Sequence, residues 1–180
     1  IYKYRKIFAI YMVMTLVTHA ILISSNSLTV GFFDVGQGDS SYLYYKGKYI
    51  QIDTGGTAFS SYNPGVEITK RAIKKRGINK IDLMILSHLD LDHVGGVKSM
   101  LESKMIDTII LGESERASDI YLDIMGGHED KIITLNENSK LDIDEDLSIR
   151  FLNVGTKSLN SNDNSLVCLV QYKDNKILYT

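Results

Sequence analysis

Cysteine is almost missing from this chain. The one thiol, Cys168, has no second cysteine to pair with inside the molecule, so no internal disulfide staples the fold. Redox compartment is therefore not legible from cysteine, and the apolar run around Cys168 reads as a place for a small buried hydrophobe. An excess of charge of either sign is missing too. A formal net charge of -2 over 180 residues argues against broad non-specific nucleic-acid binding and leaves room for a local basic groove. There is no internal repeat, no low-complexity segment and no composition typical of disorder. Histidine is scarce, and none follows His128. The length suits one domain with a substantial core. The chain does not begin with Met and stops inside the strand-like run Lys176–Thr180, so the expectation is a fragment cut at both ends.

Long apolar runs are confined to one place. Ile7 to Ile23 carries no full charge and is preceded by Lys3, Arg5 and Lys6. As a helix these residues rise about 25 Å, the short end of a bilayer span. Basic residues before the span would keep the amino end in the cytoplasm and put the rest outside. A signal peptide is the rival reading, because Val17-Thr18-His19-Ala20 ends in a small residue that a peptidase accepts. Either reading exports the rest of the chain, to the outer side of the cytoplasmic membrane or into the medium. Residues 1–26 are thus an anchor or leader with a linker, and residues 27–180 the domain.

Downstream, strands are expected at Leu28–Phe33, Ser40–Tyr45 and Tyr49–Ile52, the last two closing a hairpin at Lys46-Gly47-Lys48. A helix is expected over Val66–Arg76, ended by Gly77. Lys70, Arg71, Lys74 and Lys75 fall on one side of its wheel, as a solvated face or as a surface that guides phosphates. Further strands are expected at Leu83–Ser87, Thr108–Leu111, Lys131–Thr134 and Leu147–Val154. Ser165–Tyr172 and Lys176–Thr180 form a final hairpin. Helices are expected at Gly95–Lys104 and Ser118–Met125, and Asn136–Asp146 as a polar connection.

The chemistry concentrates where the strand Leu83–Ser87 stops. Ser87-His88-Leu89-Asp90-Leu91-Asp92-His93-Val94-Gly95-Gly96 packs two imidazoles and two carboxylates into six residues. His and carboxylate are standard ligands for divalent ions, and a short turn brings all four within reach of one or two ions. His88, Asp90, Asp92 and His93 are therefore the candidate metal ligands, with His88 and Asp92 the candidate catalytic pair. A carboxylate such as Asp90 among the ligands makes a site harder than histidines alone, which shifts the preference from zinc towards manganese or magnesium. His128 with Glu129 reads as a surface loop or a further ligand. The acidic turns Asp34–Asp39 and Asp53–Gly56 read on pattern alone as ordinary loops or as parts of a site.

These residues carry a resemblance. The His88–His93 stretch resembles the His-x-His-x-Asp-His signature of the metallo-β-lactamase superfamily, with Asp90 where the second His usually stands. The Asp form is similar to the hydrolase domain of ComEC-type DNA-uptake (competence) proteins. Phe33-Asp34-Val35-Gly36-Gln37-Gly38-Asp39-Ser40 and Asn162-Asp163-Asn164-Ser165-Leu166-Val167 support that branch in order and spacing, so the resemblance covers about Leu28 to Thr180. It implies an α/β fold, the αββα sandwich, here truncated and preceded by one hydrophobic helix. In such proteins a bundle of membrane helices precedes the hydrolase, so Ile7–Ile23 is alternatively the last of these.

The resemblance also implies roles. Asp53 would lie beneath the metal loop and orient a ligand by hydrogen bonding. Asp34, Gln37, Asp39, Asp163 and Asn164 would support the site or meet substrate. The implied activity is metal-dependent hydrolysis of phosphodiesters, DNA above all, with one or two manganese, zinc or magnesium ions activating water and holding the leaving oxygen. Two departures stand against it. The superfamily's further His before the Ser-Leu-Val strand is replaced by Asn162, Asp163 or Asn164, and its bridging Asp falls beyond Thr180. The alternatives are a non-catalytic metal-binding or interaction module that retains the fold, and a hydrolase of esters or lactams.

Overall fold

A computed structural model describes residues 2–23, 27–57, 61–155 and 160–180. The first sheet starts as an antiparallel meander of β1 (Thr29–Phe32), β2 (Ser41–Tyr45) and β3 (Lys48–Ile52). Lys46 and Gly47, both at positive φ (47° and 82°), turn β2 into β3. Two such residues give the hairpin turn whose twist matches that of its strands. The chain then winds in parallel through β4 (Leu83–Ile85), β5 (Ile109–Gly112) and β6 (Ile132–Leu135), giving six strands in sequence order. Parallel strands are covered on both faces and so read as unbroken apolar runs. Met84 and Leu86 point into a core shared with the helices, while Leu83 and Ile85 point into a core shared with the second sheet.

That second sheet holds β7 (Ser139–Asp142), β8 (Leu147–Leu152), β9 (Val167–Tyr172) and β10 (Asn175–Tyr179), ordered β10-β9-β8-β7 and antiparallel throughout. Leu147, Ile149 and Phe151 alternate inward along β8, and Cys168 and Val170 meet them from β9. The layers among the described residues are thus helices, six strands and four strands. The outer helical layer of an αββα sandwich on the second sheet is not among them.

The helical layer differs from expectation in two places. The helix expected from Val66 begins as a wide turn, Gly65–Lys70, and continues as α2 (Arg71–Lys75), with Gly77 at φ 76° ending it. The helix expected from Gly95 starts four residues earlier, inside the ligand stretch: α3 (Leu91–Val94), a break at Gly95-Gly96, then α4 (Val97–Glu102). The carbonyl of Asp90 accepts the N–H groups of His93 and Val94, which makes Asp90 the residue from which the first turn departs. α5 (Asp119–Met125) starts at Ser118, whose hydroxyl accepts the Ile120 N–H as a helix cap. A strand was not expected inside Asn136–Asp146, yet β7 lies there, a polar edge strand with Leu141 as its packed residue.

The amino-terminal helix α1 covers Tyr2–Ile23, and Ile7, Phe8, Ile10, Met12, Val13, Met14, Leu16 and Val17 on it are each more than half exposed. Its uncharged stretch with described side chains, Ile7–His19, rises about 20 Å. Among the described residues no helix is long and apolar enough to cross a membrane, so the span expected over Ile7–Ile23 is not met by them.

Candidate active site

At the carboxyl end of β4 the sequence turns from apolar to polar within one residue. Leu86 is still tied to β5 through the Ile110 carbonyl, and Ser87 opens the turn. Beneath it lies Asp53, at the end of β3, buried (2 % exposed) and held at φ 51°. A non-glycine residue in that conformation persists only where its surroundings over-determine it. Here the surroundings are plain. Asp53 N–H donates to Ile85 O, and the Gln51 side chain donates to Asp53 O at 2.6 Å. Thr54 binds the His93 carbonyl with both its N–H (2.7 Å) and its hydroxyl (3.0 Å).

The Asp53 carboxylate organises both histidines. It accepts from Ser87 N at 2.9 Å, from Ser87 Oγ at 2.6 Å and from His93 Nδ1 at 3.0 Å. A carboxylate only accepts, so the Ser87 hydroxyl spends its single proton on Asp53. That hydroxyl is also 3.0 Å from His88 Nδ1, and with its proton committed it can only accept there. His88 therefore carries its proton on Nδ1, with the Ser165 hydroxyl a further neighbour at 3.2 Å. The lone pair is left on His88 Nε2, which is buried and has no hydrogen-bond partner. Facing it at 3.5 Å is Asp90 Oδ2. Two electron-rich atoms face each other there, and what suits the space between them is a cation.

Electrostatics agree with this assignment. Burial, reinforced by the charge of His93, lowers the His88 pKa and keeps the ring neutral. Burial opposes charge on His93 as well, but the Asp53 hydrogen bond and the charges of Asp53, Asp92 and Asp39 outweigh it and raise its pKa. The two rings lie 4.1 Å apart, centre to centre. Asp92 points to a cleft of about 630 Å³ that it lines together with Asp90, Gln37 and Asn162. The cleft's apolar side is Val35, Tyr62, Leu91 and Ile120, and its lining among the described residues includes no Lys or Arg.

The glycine-rich loop Phe33–Ser40 reaches this cleft because Gly38 packs directly on the Asp92 carbonyl. Any Cβ on Gly38 would overlap that oxygen, and its φ of 85° also disfavours a side chain. Gln37 thus stands at the cleft, while Asp39 is exposed outside its lining, its carbonyl held by Gly55 N–H. Asp34 is exposed. Asp163 is exposed, and its carbonyl accepts from the Asn153 side chain. Asn164 lines a different cleft, of about 890 Å³, with Glu113, Arg116 and Asn136. His128 lies in the loop after α5, outside the cleft lining. Among the described residues, no three His, Cys, Asp or Glu form a group that could hold a metal ion.

A family model described as the metallo-beta-lactamase superfamily matches residues 33–150. The chain belongs to the metallo-beta-lactamase superfamily. Among curated proteins it is similar to ComE operon protein 3 of Bacillus subtilis (strain 168), 30% identical over 95 residues. That match takes in 46% of this chain and 12% of the longer relative, so the chain spans a small part of that protein. Among solved structures it is similar to the MIM-2 metallo-beta-lactamase (TM-score 0.56, 16% identity, 79% of this chain and 53% of that one). The chemotaxis sensor ODP in a peroxy diiron species gives a TM-score of 0.54 at 14% identity, over 81% and 56% of the two chains. A flavo di-iron protein variant from Thermotoga maritima gives 0.54 at 17%, over 74% and 30%. At such identities the likeness is one of fold.

The superfamily's metallohydrolase character implies a divalent ion. The donor chemistry at the β4 turn fits one, since an unpartnered buried imidazole nitrogen faces a carboxylate oxygen. Two contributors lie outside the sequence-predicted set: Ser87 and Ser165. The two serines lie inside stretches that the resemblance highlighted.

Proposed function

We propose that the chain is a metal-dependent phosphodiesterase that acts on DNA at the outer side of the cytoplasmic membrane, as part of DNA uptake. One observation carries the hydrolase: His88 Nε2, buried and unpartnered, opposes Asp90 Oδ2 at 3.5 Å. The similarity to ComE operon protein 3 supports the competence setting. The apolar side chains exposed along α1 support attachment to a membrane, since a helix that is apolar all round seeks an apolar surround.

His88 and Asp90 would hold an ion, with Asp92 and His93 beside them, and the ion would supply Lewis acidity towards a phosphoryl oxygen and acidify water. The remaining work belongs to the protein. Asp53, directly and through Ser87, fixes the proton of both histidines on Nδ1. Asp92, a carboxylate on the cleft wall, is assigned the proton of the attacking water. Tyr62 and Leu91 offer an aromatic and apolar wall against which a sugar or base can rest. No Lys or Arg stands in the described lining, so side chains there do not neutralise substrate phosphate.

The test is incubation of the full chain with single-stranded DNA, double-stranded DNA and bis-p-nitrophenyl phosphate, each with manganese, zinc, magnesium or a chelator. DNA cleavage that needs the ion is the expected result, with a binding constant that falls only slowly as salt rises. Turnover of the small diester alone would remove DNA as substrate. A second reading is an interaction module that keeps the fold without turnover; among the described residues no three-ligand group forms. A folded protein inactive with every ion would select it.

A further inference from the structure

Glu115 is buried (7 % exposed) in the short helical turn Glu113–Ala117 that follows β5. We propose that it is a positioning residue for the metal-binding turn, acting through the peptide between His88 and Asp90. The inference rests on the metal reading of that turn.

The contact is direct: Glu115 Oε2 accepts the Leu89 N–H at 2.8 Å. Leu89 itself is 1% exposed, with its side chain in the core shared with the helices. One residue of the turn is therefore fixed twice, by its side chain below and by its N–H at the side. Fixing Leu89 fixes the backbone from which its two neighbours in the chain project. Those neighbours are His88 and Asp90. Asp90 is itself extended (φ -73°, ψ 143°), the conformation from which α3 departs.

The energetics argue for function over stability. A buried carboxylate is costly unless well satisfied, and the hydrogen bond shown for Glu115 is the one to Leu89. Burial raises its pKa against the help of that bond, and the nearby charge of Asp90 raises it further. The charges of Glu115 and Asp90 repel, and a cation held at the turn would offset that repulsion.

The experiment uses the full chain in detergent micelles, with Glu115→Leu and Glu115→Gln as variants. Manganese and zinc affinities are measured by competition with a chromogenic chelator, and thermal unfolding is measured without metal. The expected result for Glu115→Leu is a loss of affinity of roughly 10–100-fold, the usual effect of removing an outer support of a metal ligand. Its metal-free Tm should change little, since removing a buried carboxylate offsets leaving the Leu89 N–H without its acceptor. Glu115→Gln keeps an oxygen that accepts from Leu89 and should stay close to wild type in affinity. Wild-type affinity in the Leu variant would overturn the inference, and so would a fall in metal-free Tm that both variants share. A wild type that binds neither ion would instead overturn the metal reading of the turn, and this inference with it.

Discussion

At the scale of single residues, Asp53 does the most with one side chain. Three donors converge on its carboxylate, and two of them set the tautomers of the histidines above. Asp53→Asn would replace one accepting oxygen with a donating amide, leaving a buried donor opposed by another. We expect a stability loss of about 1–3 kcal/mol by denaturant unfolding. Metal affinity in the same variant should fall roughly 10–100-fold by titration. Cys168 provides a control at the same scale. Burial pushes its thiol up to about 12, and it is 1% exposed between the sheets. It should not react with a disulfide reagent at pH 8 in the folded protein, and should react once denaturant opens the core. The sequence made Cys168 legible as a core residue from its apolar neighbours alone. Glu115 was not legible, because its partner Leu89 is 26 residues away and no local pattern announces a contact across strands.

At the scale of elements, most strands and helices follow from local pattern, and the exceptions have physical causes. β7 was hidden because Ser139-Lys140-Leu141-Asp142 is polar, as suits a strand at the edge of a sheet. The early start of α3 was hidden because its first turn is built from the candidate ligands themselves. The basic side of α2 also changes meaning. Lys70 Nζ donates to Ser99 O at 2.7 Å, Ser99 Oγ at 2.6 Å and Ser103 Oγ at 2.7 Å, and burial lowers its pKa. Arg71 is paired with Glu67 at 2.7 Å. Lys70 thus ties this helix to α4, while Arg71 is paired within its own helix. The glycine loop is the element most sensitive to change. Gly38→Ala would cost about 1–2 kcal/mol from backbone conformation alone. Because the new methyl would meet the Asp92 carbonyl, turnover should fall more than stability does, which parallel unfolding and activity assays on the variant would separate.

At the scale of the whole molecule, two sheets and one layer of helices hold the β4 turn above Asp53 and open it to a cleft. The candidate site was legible to the extent that its donors are adjacent in sequence; which of them face one another depends on β3, β5 and the Ser165 stretch brought alongside. On the proposed function, a metal ion and hydrolysis meet at this turn. The most direct measurement is metal-dependent cleavage of single-stranded DNA and bis-p-nitrophenyl phosphate by the wild type and by the double variant His88→Ala, Asp92→Ala, with circular dichroism to check that both are folded. Ion-dependent turnover is expected in the wild type and none in a variant of unchanged fold. Full activity in the double variant would contradict that expectation.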